Sequence, residues 1–461
     1  MKRMNLPNTY SILFILMILF AFLTWVLPTG SYDRNIDPIT HKEVVVSNTY
    51  HLVDSNPQGF MSVMTSFCRG IVDSAEIIAF VLIVGGAYGV IMSTGAIDQA
   101  LQRLIHKLAN KSFLLIPVIM TIFAIGGTTT GTWEETLPFF IIIIPLIIRA
   151  GYDALVGLAV IILGASAGVI ASTLNPFSTG IASSIAQITI KDGLSTRIIA
   201  WFIVLAISIV YVMIYAFRIK KNPTKSIVNH LHKDHETHFA NLHAPVNLQN
   251  KMPLNYTIIV MLFCAMIIFM MYSISQLGWW IAEITMLYLS LSIASAILTK
   301  MSQNQFWHNF INGAKDLLPA ALIIALAKGV VLIAQDGFII DTILYYASTT
   351  LNNLSSTTFI VLNQAIQTLF ALVVPSSSAQ AALTIPIMAP LADLVHISRE
   401  NVVSTMQFSS GLANMVTPTS GVLMGAIAIA RVSLIDWLKF VLPLFAILFV
   451  TTVSILIWNI S

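Results

Sequence analysis

The chain has 461 residues, of which 57% are hydrophobic and 9% charged, and its formal net charge is +3. Soluble globular domains carry about 25% charged residues, so a water-soluble fold is excluded, and so small a net charge leaves no footprint for nucleic acid. The apolar residues gather in continuous runs near the ~20 residues that span a bilayer as helix; without alternation, a transmembrane barrel is excluded too.

The first run, 12–27, follows Lys2 and Arg3 and ends in Leu27-Pro28-Thr29-Gly30. No small-x-small cleavage pattern closes it, so residues 1–30 read as a retained transmembrane helix rather than a signal peptide. Residues 31–74 mix charges and read as an external loop. A basic cluster follows at Arg103, His106, Lys107 and Lys111. A larger one, Arg218, Lys220, Lys221 and Lys225, opens a polar linker over 218–252. Clustered Lys and Arg mark cytoplasmic loops. The linker carries His230, His232, His235, His238 and His243. Their spacing allows a metal site, but no cysteine accompanies them, and a solvated linker is the simpler reading. Connecting helices span 253–300, with Trp279, Trp280 and Glu283 at an interface. Residues 335–357 hold Asp336 and Asp341 and no Lys or Arg, and are expected outside with the C-terminus. Cys68 and Cys264 are far apart, each in apolar sequence, and read as packing residues.

The two halves repeat one another in order. Phe123-Ala-Ile-Gly-Gly-Thr-Thr-Thr-Gly131, then Leu137-Pro138, answers Phe370-Ala-Leu-Val-Val-Pro-Ser-Ser-Ser378, then Ile385-Pro386. Ser172-Thr-Leu-Asn-Pro-Phe-Ser-Thr-Gly180 answers Asn414-Met-Val-Thr-Pro-Thr-Ser-Gly421. Repeats are expected at 75–217 and 301–461. Lys111 and Arg149 bracket a run too short for two full crossings, so 112–150 is expected to be a re-entrant hairpin open to the cytoplasm. Its counterpart, 357–394, is expected to open outward. The fold class is thus an all-α polytopic membrane protein, an inverted-repeat secondary transporter with two re-entrant hairpins and two interrupted helices. Irregular backbone at membrane depth is tolerated only where it is buried or lines a cavity, so the tips and breaks are expected to converge.

Candidate site residues follow from that convergence. Glu134 and Glu135 are the only charged residues between Lys111 and Arg149, and intramembrane carboxylates are functional candidates by default. They suit a cationic substrate, a proton or sodium; the bland alternative is a helix cap. Thr130 and Thr132, with Ser376, Ser377, Ser378 and Gln380, make the tips polar and suit a carboxylate, or satisfy the hairpins' own backbone. Asn175, Ser178 and Thr179 sit at one break, and Asn414, Thr417, Thr419 and Ser420 at the other, where carbonyls suit sodium. Lys328, mid-run, suits a substrate carboxylate or an ion pair. No nucleotide loop or metal-ligand cluster appears in a sensible context. The chain reads as a transporter without a cofactor, its coupling ion proton or sodium.

With Gly131-Thr-Trp-Glu-Glu-Thr-Leu-Pro-Phe, Gly151-Tyr-Asp-Ala-Leu, Leu174-Asn-Pro-Phe-Ser-Thr-Gly, Pro375-Ser-Ser-Ser-Ala-Gln-Ala-Ala-Leu-Thr and Pro418-Thr-Ser-Gly-Val-Leu-Met-Gly, the chain resembles the YfcC-like branch of the DcuC/ArcD family from Tyr10 to about Phe440. The resemblance implies a multi-pass cell-membrane carrier of small molecules, with a homodimer as one arrangement. It implies two substrate classes: basic amino acids, in arginine/ornithine exchange, or C4-dicarboxylates. It also implies an arginine in many relatives where Lys328 stands, which would keep the charge and change its geometry. Two adjacent carboxylates favour the cationic substrate, since they attract a guanidinium and repel a dianion.

Overall fold

A computed structural model describes residues 9–36, 43–97, 99–100, 103, 112–232, 234–235, 237, 252–277, 279, 281–351 and 354–460. Lys2, Arg3, His106, Lys107, Lys111, His238, His243 and Trp280 lie outside the described residues. Seventeen α-helices occur among the described residues. Among the described residues, seven helical segments are long and apolar enough to cross a membrane, and the chain is a multi-pass membrane protein whose spans are helices.

Helix α1 (Thr9–Val26) leads into two small antiparallel strand pairs. In these, β1 (Gly30–Ser31) pairs with β4 (His51–Leu52), and β2 (Arg34–Ile36) with β3 (Glu43–Val45). The segment expected as one external loop, 31–74, also holds a helix, α2 (Phe60–Asp73). Its mixed charge disguised it: Arg69 and Asp73 are one helical turn apart, while Val63, Ser66 and Gly70 form a buried small-residue face. Ser74 separates α2 from α3 (Ala75–Ser93).

The first hairpin is α4 (Leu115–Thr129), a 3-10 turn over Glu134–Phe139, and α5 (Phe140–Arg149). Next come α6 (Ala154–Ile170), a break with a π turn at Pro176–Gly180, and the short α7 (Ile181–Ile185). Helix α8 (Leu194–Lys221) ends the half. Beyond the linker lie α9 (Leu254–Leu277), α10 (Ile281–Leu298), α11 (Gln303–Asp336) and α12 (Ile339–Thr349). The second hairpin is α13 (Ser356–Val373) and α14 (Ser377–Leu394). It is followed by α15 (Arg399–Asn414), a break at 415–420, α16 (Gly421–Ala430) and α17 (Leu434–Ile460).

Helix α8, 28 residues and so about 42 Å long at 1.5 Å per residue, orients the two halves. At its C-terminal end, Lys220 Nζ lies 2.6 Å from Ser112 Oγ and 3.4 Å from the Ala150 carbonyl. Both ends of the first hairpin therefore share one side. Helix α6 also starts there: Asp153 accepts hydrogen bonds from Tyr215 Oη and Ser226 Oγ at 2.8 and 2.6 Å. At the other end of α8, Gly193 abuts Glu400, in the first turn of α15. Arg399 there pairs with Asp393 at 2.8 Å and donates to the Ala186 carbonyl. Helices α6 and α15 thus enter from opposite ends and meet near their C-termini. Gln407 Nε2 donates to the Val169 carbonyl at 2.7 Å, and a Cβ on Gly411 would lie 2.5 Å from Ile170 N. This is the inversion. The halves also interlock, since α7 packs on α14 and α16 on α5.

In its described part, the linker departs from a solvated tether at two histidines. His235 is buried, with Nε2 3.1 Å from the Arg431 carbonyl, and His230 Nε2 lies 3.5 Å from Asp436 Oδ2. Groups of three or more potential metal ligands are absent among the described residues.

Candidate functional site

The first tip turns at Gly131, whose φ of +73° is left-handed. That geometry is easy for glycine and strained for other residues. Its bare Cα faces Asn175, whose Nδ2 would lie 2.2 Å from an added Cβ. The second tip turns at Val374-Pro375-Ser376, and Ser376 caps α14 by accepting from Ala379 N. Ser420 caps α16 by accepting from Leu423 N. These caps satisfy helix-start N–H groups that lipid could not.

Between the halves lies a cavity of about 190 Å³. The first tip supplies Trp133 and Glu134, the second tip Pro375 and Ser376, and the second break Asn414, Thr419 and Ser420. Helix α11 supplies Lys328 and Gln335, and Ser74 and Ile77 come from the α2–α3 junction. Trp133 Nε1 donates to Ser420 Oγ at 3.4 Å, a bond between residues 287 positions apart. Asn414 Nδ2 donates to the carbonyls of Pro375 and Ser410 at 3.1 and 3.0 Å. Lys328 Nζ is 2.7 Å from Asp73 Oδ2.

Glu135 turns elsewhere. It is 2% exposed, its Oε2 accepts from Trp133 N at 3.0 Å, and it lines a second, apolar cavity of about 220 Å³ with Thr132, Ile267 and Met270.

Several candidate residues line neither cavity. Thr130 donates to the Gly126 carbonyl at 2.9 Å, the self-satisfying role open to hairpin hydroxyls. Thr417 donates to the Leu372 carbonyl at 2.8 Å, which the cavity-lining Thr419 also reaches at 2.7 Å. Gln380 donates to Gln367, and Ser378 faces Ser376 at 3.3 Å. Ser377 opens α14 beside them without lining the cavity. Asn175, Ser178 and Thr179 are buried at the first break, where Thr179 bonds Ser172 Oγ at 2.9 Å. Freed carbonyls at Ala171, Leu372 and Pro375 are thus taken by Thr128, Thr417, Thr419 and Asn414.

Three participants escaped the sequence reading. Trp133 stands beside the paired glutamates and was passed over for lack of charge. Gln335 and Asp73 fell in segments assigned to loops.

The family model for DcuC, described as C4-dicarboxylate anaerobic carrier, matches residues 6–461. The chain belongs to the DcuC family. This DcuC-family protein is therefore a carrier of the secondary-transporter class. It is 30% identical over 502 residues to the Escherichia coli protein named "Putative basic amino acid antiporter YfcC", covering 99% of this chain and 96% of that one. It is 29% identical over 500 residues to an uncharacterized Haemophilus influenzae protein, covering 100% and 98%. Among solved structures it is similar to Neisseria gonorrhoeae MtrF, from work on a class of antimetabolite efflux pumps, at TM-score 0.43 and 17% identity over 98% of this chain and 95% of that one. It is also similar to the Alcanivorax borkumensis YdaH transporter, at TM-score 0.41 and 14% identity over 98% of each. Both scores are too low to transfer anything from those proteins.

Proposed function

We infer that this DcuC-family chain exchanges basic amino acids across the cell membrane by alternating access between the two inverted halves. One observation carries the reading: Glu134 and Lys328 open onto the same cavity. A basic amino acid has a cationic end and a carboxylate, and these two side chains complement both. Guanidinium or ammonium to carboxylate is a charge-assisted hydrogen bond, about twice as strong as a neutral one. A C4-dicarboxylate, the substrate in the family's description, would bring a second carboxylate against Glu134. The name of the Escherichia coli relative points to the same substrate class.

Counterflow tests the reading. Proteoliposomes loaded with ornithine, arginine, succinate or no solute are offered labelled arginine. Uptake only into the ornithine- and arginine-loaded vesicles is expected. Uptake of labelled succinate that arginine fails to inhibit would replace the basic amino acid with a dicarboxylate.

A second reading concerns coupling. Glu135 is a buried acid facing an apolar chamber, its carboxylate held by backbone N–H groups, that of Trp133 among them. That setting suits carrying a proton rather than holding a guanidinium, so Glu135 is assigned the coupling role and Glu134 the substrate.

A further inference from the structure

Lys328 has a resident partner. Its Nζ lies 2.7 Å from Asp73 Oδ2, and Asp73 directly precedes Ser74, which lines the cavity with Lys328. The two side chains are 36% and 47% exposed, so the pair is not sealed inside the protein. One turn earlier on α2, Arg69 pairs with Asp336, which ends α11 beside Gln335, another cavity-lining residue. Charges therefore alternate, Asp336, Arg69, Asp73, Lys328, from the end of α11 to the cavity.

The pair is not needed to hold these helices together. Helices α2 and α11 touch through glycine: a Cβ on Gly70 would lie 2.1 Å from the Ala325 carbonyl, and one on Gly329 3.0 Å from the Ser66 carbonyl. Half-exposed ion pairs contribute little to stability, and apolar residues serve a purely structural contact as well or better. A charge that lines a cavity in a membrane protein points to a ligand.

We propose that Asp73 is an exchangeable counter-ion. It holds Lys328 Nζ while the cavity is empty and yields it to the carboxylate of the incoming substrate, which makes Asp73 a determinant of affinity for that end of the molecule. Lysine suits the exchange, because a point charge on a flexible stem changes partner without losing bidentate geometry. One carboxylate replaces another, so the charge around Lys328 is conserved. The released Asp73 stays one helical turn from Arg69 on the same helix. The identity of the substrate rests on the basic-amino-acid reading; the exchange itself requires only a carboxylate.

The test is equilibrium binding of arginine, its decarboxylated analogue agmatine, and succinate to the full chain in lipid nanodiscs. Parent, Asp73→Asn, Asp73→Glu and Lys328→Gln are compared. Removing the competing carboxylate in Asp73→Asn is expected to tighten arginine by about two- to fivefold, the range of an exposed ion pair. Agmatine is expected to bind parent and Asp73→Asn alike, Asp73→Glu to behave as the parent, and Lys328→Gln to lose arginine. An equal shift for agmatine, no shift, or weaker arginine binding would make the pair a brace and overturn the proposal. So would an Asp73→Asn chain that does not fold, or a parent that binds neither carboxylate compound. Succinate binding in place of arginine, with the same Asp73 effect, retires the basic amino acid and leaves counter-ion exchange standing.

Discussion

Glu134 and Glu135 are neighbours in sequence and open onto different cavities. They lie on a 3-10 turn, where three residues complete a revolution, so adjacent side chains diverge by about 120°. Glu134 meets the second half of the protein. Glu135 meets Ile267 and Met270 of α9.

Their substitutions should therefore separate. Glu134→Gln removes a charge-assisted bond of roughly 1.5–3 kcal/mol, so arginine affinity in the counterflow assay is expected to fall about tenfold to a hundredfold. Glu135→Gln is expected to keep arginine exchange while abolishing uptake driven by a pH gradient. Identical phenotypes would mean that the two acids work as one site.

Gly131→Ala should damage the first tip. Its φ of +73° costs an L-residue about 1–2 kcal/mol, and the new methyl would overlap Asn175, adding about 1–3 kcal/mol of overpacking. A lower melting temperature in detergent and loss of exchange are expected. An unchanged melting temperature would show that the tip is looser than this contact implies.

The docked linker should respond to pH. Burial lowers His235 below its ordinary value near 6.5, opposed by its bond to the Arg431 carbonyl. The undocked histidine takes up a proton first, so docking is intact above pH 6.5 and weakens as pH falls through the lowered value. Burial raises the Asp153 carboxyl, which acts in the opposite sense: its contribution is present at acid pH and is lost as pH rises through the raised value. Lower protection against hydrogen exchange over 226–235, after correction for the slower intrinsic exchange at acid pH, is expected at pH 5.5 than at pH 7.5. His235→Gln should flatten the histidine's share, and a difference that survives this change would assign the response to other groups.

Sidedness is testable by labelling. With Cys68 and Cys264 removed, a cysteine replacing Thr224 is expected to resist an impermeant reagent in intact cells, while one replacing Thr189 reacts. Thr224 follows the C-terminal end of α8 and Thr189 precedes its start, so the reverse pattern would turn the whole map over.

Much of the architecture could be read along the chain because its causes are local. Apolar runs of bilayer length, Lys and Arg gathered at their ends, and Pro and Gly interrupting two corresponding runs are statements about neighbours in sequence. The helix over Phe60–Asp73 was missed because Arg69 and Asp73 look like loop charges until Gly70 is seen against Ala325. His235 and His230 read as solvated in sequence, and only the fold brings Arg431 and Asp436 beside them.

By itself, the sequence determined a polytopic helical chain, two corresponding halves and a short set of polar groups at membrane depth, since hydrophobicity and backbone chemistry act residue by residue. Only the tertiary structure decided which of those groups share a space. Whether a hydroxyl lines a cavity or satisfies a carbonyl one turn away, as Thr130 does with Gly126, depends on rotation about the local backbone. Whether Lys328 meets Asp73 and Trp133 meets Ser420 depends on segments that only folding brings within hydrogen-bond reach.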